Sequence, residues 1–354
     1  MIDVQGMTDA LAEKVELAID GKLYSGWTEV SVTRSLDMIS GQFDLTLASK
    51  DRTDAERLQV KPGDRCQLRI AGAVVIDGWV DAVAPSGDRD MHNIVVAGRD
   101  RTGDLVDCSA VHKPGSWRRS RIETIAADLV KPFGIKVTAV ASTGAPIDRF
   151  ALQQGESVHS ALERLVRFRG LLLVAAPGGN LEIVTPGTGA PIATLQWGKN
   201  ILGFAATHSM VERFSDYIVK GQASGSDDRN GKTVAQIRGE SKDAGVRRYR
   251  PLIVLAEDQS DGTSIRTRAA WEAGVRAGKG SAIDIDVLGW RVEAGGELWR
   301  PDVRVRVDCP PALLPAQEML VVGVRLSKGE AGTITTLTCN LPDAWKQQAT
   351  GSAT

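Results

Sequence analysis

Alternation with a period of two dominates the first hundred residues. Val30-Ser31-Val32-Thr33 and Phe43-Asp44-Leu45-Thr46-Leu47 switch between apolar and polar positions, as strands with one buried face do. Ser40-Gly41 is read as the turn between them. Cys66 to Ile70 and Val74-Val75-Ile76 follow, split by Ala71-Gly72, and then come Gly78 to Val83 and His92 to Ala97. Short strands at this spacing predict an antiparallel barrel or sandwich.

The texture changes after Ser109. Ile122, Ile125, Ala126 and Leu129 recur at helical spacing between Ser120 and Val130, and Pro132-Phe133-Gly134 ends that segment. A second helix is predicted from about Ser157 to Arg169, with Val158, Ala161, Leu162, Leu165 and Val166 on one stripe and Gly170 as its breaker. Leu171 to Val174 and Leu181 to Val184 flank Pro177-Gly178-Gly179-Asn180, a hairpin signature. Together these elements describe a small α+β unit. The polar, glycine-rich stretch from Gly221 to Gly231 reads as an exposed loop, and one more helix is predicted near 264–277. From Ala282 the alternation returns in Ile283 to Val287, Val303 to Val307, Leu320 to Leu326 and Thr333 to Cys339.

The two β regions echo one another. Lys61-Pro62-Gly63-Asp64-Arg65-Cys66-Gln67-Leu68 resembles Arg300-Pro301-Asp302-Val303-Arg304-Val305-Arg306-Val307. Each is followed by a strand carrying a glycine (Gly78, Gly323), a loop with glycine and an acid, and a closing strand. That order predicts two related β modules in one chain.

Composition narrows the function classes. At 354 residues the chain is longer than a single core usually sustains, so several domains are expected. The formal net charge of −1 supplies no global field that would favour nucleic acid or an anionic membrane. Four scattered cysteines (Cys66, Cys108, Cys309, Cys339) form no CxxC pair, which argues against a zinc site or a disulfide scaffold and suits a reducing compartment. The opening MIDVQGMTDALAEK has no basic region followed by an apolar one, so no signal peptide is expected. The longest apolar run, Leu171 to Ala176, falls far short of the ~18–20 residues that cross a bilayer.

Candidate chemistry is sparse. Gly98-Arg99-Asp100-Arg101-Thr102-Gly103-Asp104-Leu105 has the glycine spacing of a phosphate loop. Asp104 and Leu105 stand where such a loop needs lysine and a hydroxyl, so the reading fails. Gly98 and Gly103 are expected to let the chain turn, Asp100, Asp104 and Asp107 to fix that turn or to sit at a subunit boundary, and Cys108 to be a buried or half-buried thiol. The four histidines form no HxH or HxxxH pair, and the calcium-loop likeness of 226–237 ends on Ile237 where a glutamate is required. Trp117-Arg118-Arg119-Ser120-Arg121 and Arg247-Arg248-Tyr249-Arg250 mix aromatic and basic residues; an interface or a solvated surface fits the neutral overall charge better than nucleic-acid stacking does.

Several ordered fragments carry a family resemblance. Trp27 to Asp37 followed by Gly41-Gln42-Phe43, Gly98 to Ser109, Pro132-Phe133-Gly134-Ile135, Gly155-Glu156-Ser157, Arg167 to Leu172, Tyr217 to Gln222 and Gly296-Glu297-Leu298-Trp299 resemble the Mu-like phage baseplate hub proteins over roughly residues 20–345. More distantly, the architecture is similar to late-control-D proteins and the hub part of VgrG spikes. The signature positions are Trp27, Arg34, Gly98, Gly103, Asp104, Asp107, Gly134, Gly155, Glu156, Gly170, Gly221, Gln222 and Trp299.

The resemblance implies a mainly β fold with α+β parts: two tail-tube-like antiparallel β-barrels, a small α+β domain and an inserted domain. The implied division is 1–107 for the first barrel, 108–190 for the α+β domain, and 191–224 with 283–345 for the second barrel. Residues 225–282 form the insertion with one helix, and 346–354 a flexible tail. It implies a structural hub of a contractile tail, a homotrimeric ring joining the sixfold tail tube to a three-fold central spike around a channel for DNA. Its partners would be the spike protein, the tail tube or adjacent tail proteins and the tape-measure protein, with no specific nucleic acid and no stable membrane insertion. Its place would be the virion baseplate, after assembly in the host cytoplasm. No catalytic, cofactor or metal site comes with the family. The alternative is an envelope-degrading hydrolase module of a tail, using carboxylates such as Asp100 or Glu156.

Overall fold

The computed structural model describes residues 13–49, 59–88, 92–167, 169–221, 237–255 and 262–346. Seven strands open the chain: β1 (Val15–Ile19), β2 (Lys22–Tyr24), β3 (Glu29–Ser35), β4 (Met38–Ser49), β5 (Arg65–Ile70), β6 (Ala73–Gly87) and β7 (His92–Asp100). They lie side by side in the order β3-β4-β7-β6-β5-β1-β2. The alternation read from the sequence is realised in β7, where every second residue from Ile94 to Asp100 is buried.

One turn sits elsewhere than its residues suggested. Ser35 pairs with Met38, so Leu36-Asp37 make the β3–β4 turn, and Ser40-Gly41 lie inside β4. Ala71 (φ 47°) and Gly72 (φ 82°) do form the tight β5–β6 turn, in the left-handed region that two-residue hairpins require.

The middle of the chain folds as the helical spacing indicated. A short α1 (Gly103–Asp107) leads to β8 (Ser116–Ser120), α2 (Ile122–Val130), β9 (Val137–Ala139), β10 (Ile147–Ala151), α3 (Val158–Arg167), β11 (Leu172–Ala176) and β12 (Asn180–Val184). Ser157 Oγ accepts the Ser160 N–H and so caps the start of α3. The five predicted stripe residues of α3 are all buried, packed with Ile125, Leu129, Leu181 and Ile183 in a core of their own.

The rest of the chain returns to strands: β13 (Ala193–Gln196), β14 (Gly203–His208), β15 (Asp216–Gly221), β16 (Ile237–Lys242), β17 (Pro251–Leu255), then α4 (Gly262–Lys279), β18 (Ser281–Leu288), β19 (Val303–Cys309), β20 (Leu314–Gly329) and β21 (Gly332–Asn340). β15, β16 and β17 make a separate three-stranded sheet, against which Ile265 and Ala269 of α4 pack through Val219. Tyr217-Ile218-Val219 therefore sit with the segment that follows them and outside the large sheet.

The echo in the sequence is an echo in hydrogen bonding. In the first half β7 lies between β4 and β6, and β6 gives its early residues to β5. In the second, β21 lies between β18 and β20, and β20 gives its early residues to β19. Both long strands carry a bulge at the hand-over, between Val80 and Ala82 and between Val321 and Gly323. At each bulge a carbonyl is closed by the loop before the hairpin: Gly63 N–H donates to Val80 O (2.7 Å) and Asp302 N–H to Val321 O (2.9 Å). Both donors have positive φ, 89° and 64°. The halves differ where β3 and β4 are joined by two residues, while β14 and β18 are separated by the small sheet and α4.

β3 pairs with the later part of β20, so the halves merge into one 13-stranded sheet whose path is open among the described residues. A single apolar core runs through both, from Leu17, Phe43 and Val96 to Ile285, Val305 and Leu337.

Candidate functional site

The stretch that resembled a phosphate loop is a buried joint. Asp100, at the end of β7, is 1% exposed. Its Oδ2 accepts from Gly41 N (3.2 Å) and its Oδ1 from Asp77 N (3.1 Å), tying β7 to β4 and β6. A Cβ on Gly41 would lie 2.7 Å from that carboxylate and 3.3 Å from the Arg34 stem. Gly41 is in a strand because the site needs the room. Burial pushes the Asp100 carboxyl up to about 6, although the Arg34 charge and the two backbone donors favour its ionised form.

Two arginines, Arg34 of β3 and Arg101 just past the end of β7, bond to the α+β unit. Arg34 donates to Ala175 O, and Arg101 donates to Gly178 O (2.8 Å) and Gly134 O (2.9 Å). Gly178 and Gly179 take positive φ in the β11–β12 turn, and a Cβ on Gly179 would lie 2.5 Å from Asp77 O. The hairpin tip therefore touches β6 backbone directly. Leu36, Leu320 and Val322 continue the joint as an apolar cluster with Val174 and Val184.

The other predicted positions fall into place around this frame. Gly98 lies within β7 and makes no turn; a Cβ there would meet Trp79 O at 2.3 Å and the Phe43 ring at 2.6 Å. Gly103 begins α1, with the Arg99 guanidinium and Ser40 Oγ at 3.3 Å from where its Cβ would be. Arg99 bridges Asp81 (2.6 Å) and Asp107 (2.8 Å), and that hydrogen bond holds the Asp107 carboxyl below its ordinary range. Asp104 is raised, chiefly by burial, with Arg99 acting the other way. Gly134, Gly155 and Gly170 have φ of 66°, 78° and 63°, which suits glycine at the ends of helices and in the loop before α3. Glu156 forms an ion pair with Arg164 (2.8 Å) and its carbonyl accepts from Ala110 N. Trp27 and Trp299 are buried in the main core. Gly221 ends β15, and Gln222 lies outside the described residues, as does the loop 223–231.

Neither proposed carboxylate is disposed for hydrolysis: Asp100 is enclosed and Glu156 is held by Arg164. Cys108 is exposed at the C-cap of α1, where a buried or half-buried thiol was expected. Cys66, Cys309 and Cys339 are buried, and burial pushes the Cys66 thiol up to about 12. Among the described residues no His, Cys, Asp and Glu side chains gather as a metal site would, and no helix is long and apolar enough to cross a membrane. Trp117 is buried, bonded to Asp128 and stacked on His112, so it is not free to stack on a base beside Arg118 and Arg119.

The Asp100 carboxyl makes a pH prediction. Its raised value means the native state holds this proton more tightly than the unfolded chain, so its contribution rises as pH falls from about 6 to about 4. At roughly 1.4 kcal/mol per unit, that is on the order of 3 kcal/mol. Asp100→Asn removes the dependence. The wild-type thermal midpoint, taken relative to the variant's, is expected to climb between pH 7 and pH 4.5; an offset that stays constant would contradict the assignment.

What these features define is a β-sheet protein whose glycine-containing loops and buried polar side chains hold its sheet and its α+β unit together. Models of known families match it in chain order: Mu phage baseplate assembly protein GpP-like, N-terminal (residues 14–100); baseplate hub protein gp44-like, second domain (102–185); tail protein NMB1110-like, third domain (213–271); and Mu phage baseplate assembly protein GpP, fourth domain (262–348). Baseplate hub protein gp44 of Escherichia phage Mu is 34% identical over 323 residues, covering 89% of this chain and 84% of that protein. The crystal structure of the 43 kDa tail protein of prophage MuSo2 from Shewanella oneidensis superposes with a TM-score of 0.84 at 33% identity, covering 95% of this chain and all of that one. A tail protein from Neisseria meningitidis MC58 shares the fold at 22% identity, with a TM-score of 0.79 and coverage of 96% and 99%. The chain belongs to the Mu-like phage baseplate hub family, and its role is that of a structural hub in the baseplate of a phage tail.

Proposed function

We propose that three copies of this chain form a ring at the centre of the baseplate, joining a sixfold tail tube to a three-fold spike around a channel through which DNA passes. The observation that supports this most is the repeat: one chain carries two halves with the same order over five strands, the same bulge and the same closing hydrogen bond, and they diverge only at the next strand, antiparallel in β1 and parallel in β13. Three such chains present six similar β modules to one side while keeping true three-fold symmetry on the other. Each half then acts as a tube-like barrel module, with the remaining wall supplied by its neighbours.

The units that we propose follow the pairing. Residues up to 100 form the first module and 101–185 the α+β domain. Residues 191–208 with 281–341 form the second module, and 209–280 the insertion, which starts earlier than 225 because β15 pairs, among the described residues, only with β16 and β17. The partners in this reading are the spike protein, the tail tube or adjacent tail proteins and the tape-measure protein, and the chain has no enzymatic step of its own. Light scattering on the purified protein at micromolar concentration is expected to give three times the chain mass. A strict monomer would count against the ring.

A further inference from the structure

The junction between the two halves specifies how one copy meets the next. Within the chain, β3 adds to the later part of β20, with Arg34 opposite Val324, Thr33 opposite Arg325 and Val32 opposite Leu326. The second half has its own counterpart of β3, and the first half its own counterpart of late β20. Neither has a strand partner on its outer side among the described residues. β14 ends the path of the large sheet, and Ala82–Gly87 of β6 pair only with β7.

The counterparts can be assigned residue by residue by following cross-strand partners from the two bulges. Val80 faces Gly98, Gly98 faces Phe43, and Phe43 faces Val32. Val321 faces Cys339, Cys339 faces Ile283, and Ile283 faces Ala206. Ala206 is therefore the counterpart of Val32, and Thr207 that of Thr33. Counting on from the bulges, Pro85 is the counterpart of Leu326 and Ala84 that of Arg325.

We propose that β14 of one copy adds antiparallel to Ala82–Gly87 in β6 of a second copy, in the register that β3 uses on β20. Ala206 then lies opposite Pro85, Thr207 opposite Ala84 and His208 opposite Val83. This rests on the ring reading and names its contact: a head-to-tail interface, which closes or continues according to its rotation.

Three features of the two edges suit that pairing. Open strands are ordinarily protected by charge, yet Gly203-Phe204-Ala205-Ala206-Thr207-His208 and Ala82-Val83-Ala84-Pro85-Ser86-Gly87 contain no Asp, Glu, Lys or Arg. Their apolar sides correspond, since Phe204 and Ala206 pack on the main core from one edge and Val83 from the other, as Val32 and Leu326 do at the internal junction. Beside β14, Trp197 stands edge-on to Phe204 (5.2 Å) and remains 43% exposed, with Leu202 at 42%. A second copy laid along β14 covers that apolar surface.

Pro85 sets a limit on the contact. Leu36 N–H donates to Val322 O, and by alternation Val324 and Leu326 also turn their backbone groups toward β3. Pro85 thus points its nitrogen at the open edge, which is where a strand tolerates proline. The pairing between copies has one hydrogen bond fewer there than the internal one.

The register is tested by cysteine pairs in full-length protein carrying Cys108→Ser, since the other three native cysteines are buried. Thr207 and Ala84 are both exposed. They would form a non-hydrogen-bonded pair with Cα atoms about 4.5 Å apart, within reach of a disulfide. After mild oxidation, Thr207→Cys with Ala84→Cys is expected to shift the single-chain band on a non-reducing gel to a three-chain band, which reverts on reduction. Each single variant stays a single-chain band, and Thr207→Cys with Ser86→Cys, two residues out of register, cross-links far less. Efficient cross-linking only of the out-of-register pair overturns the register. A trimer by light scattering in which neither pair cross-links overturns the strand pairing and leaves the ring standing; a monomer overturns both.

Discussion

Gly78→Ala is expected to leave almost no folded protein. Gly78 lies in β6 where that strand passes from β5 to β7, facing Cys66 on one side and Asp100 on the other. A Cβ there would stand 1.8 Å from Arg99 O and 2.7 Å from the Asp100 carbonyl carbon, both backbone atoms of β7. A side chain can rotate away from such a clash, but a strand bonded on both sides cannot. Relief would require β6 and β7 to part, and with them the hydrogen bonds that hold Asp100. Overpacking in a core costs about 1–3 kcal/mol when side chains can adjust, and a collision of two main chains costs more. The check is soluble yield and thermal midpoint beside Gly72→Ala, whose site is open but whose φ of 82° costs about 1 kcal/mol. Gly78→Ala melting within a degree or two of wild type would contradict the packing described here.

Arg34→Met should be the next most damaging substitution. Arg34 donates to Ala175 O of β11 and places its charge near Asp100, two tasks that methionine cannot perform. The Ala175 carbonyl loses its side-chain donor and the Asp100 carboxylate its counter-charge. Losing a charged donor to a part-buried acceptor typically costs about 1.5–3 kcal/mol, and the lost attraction for the Asp100 charge adds to it. The two effects share Asp100, so Arg34→Met with Asp100→Asn is expected to cost clearly less than the sum of the single changes. Additive losses in thermal melts would show that the two side chains act independently.

The arginine joints are also what one-dimensional reading could not reach. Arg34 and Ala175 are 141 positions apart, and Arg101 and Gly178 are 77 apart. No period or motif links such residues. The strands themselves were legible because burial of one face imposes alternation directly on the residues, as in Val303 to Val307. The α3 stripe was legible for the same reason at helical spacing. Lys61-Pro62-Gly63 and Arg300-Pro301-Asp302 were matched by composition, and the structure supplies the cause: both segments need a positive φ to aim an N–H at a bulge carbonyl.

The misplaced features have a common origin. Gly41 and Gly98 look like turn residues, but each is a glycine because another element crowds its Cα, a carboxylate in one case and a phenyl ring in the other. β15 alternates like any strand of the large sheet, and alternation does not say which sheet a strand joins. The apparent phosphate loop was informative for the wrong chemistry. Its Asp100 pins three strands together, its Arg101 holds the β11–β12 hairpin, and its Gly103 opens α1.

In the assembly we propose, two like halves in one chain build a six-module ring from three copies. Electron-microscope class averages of the purified protein test it most directly. A ring with three-fold symmetry, six similar lobes on one face and an open centre is the expected image. Compact single-chain particles, or an even-numbered closed assembly without a central opening, would contradict it.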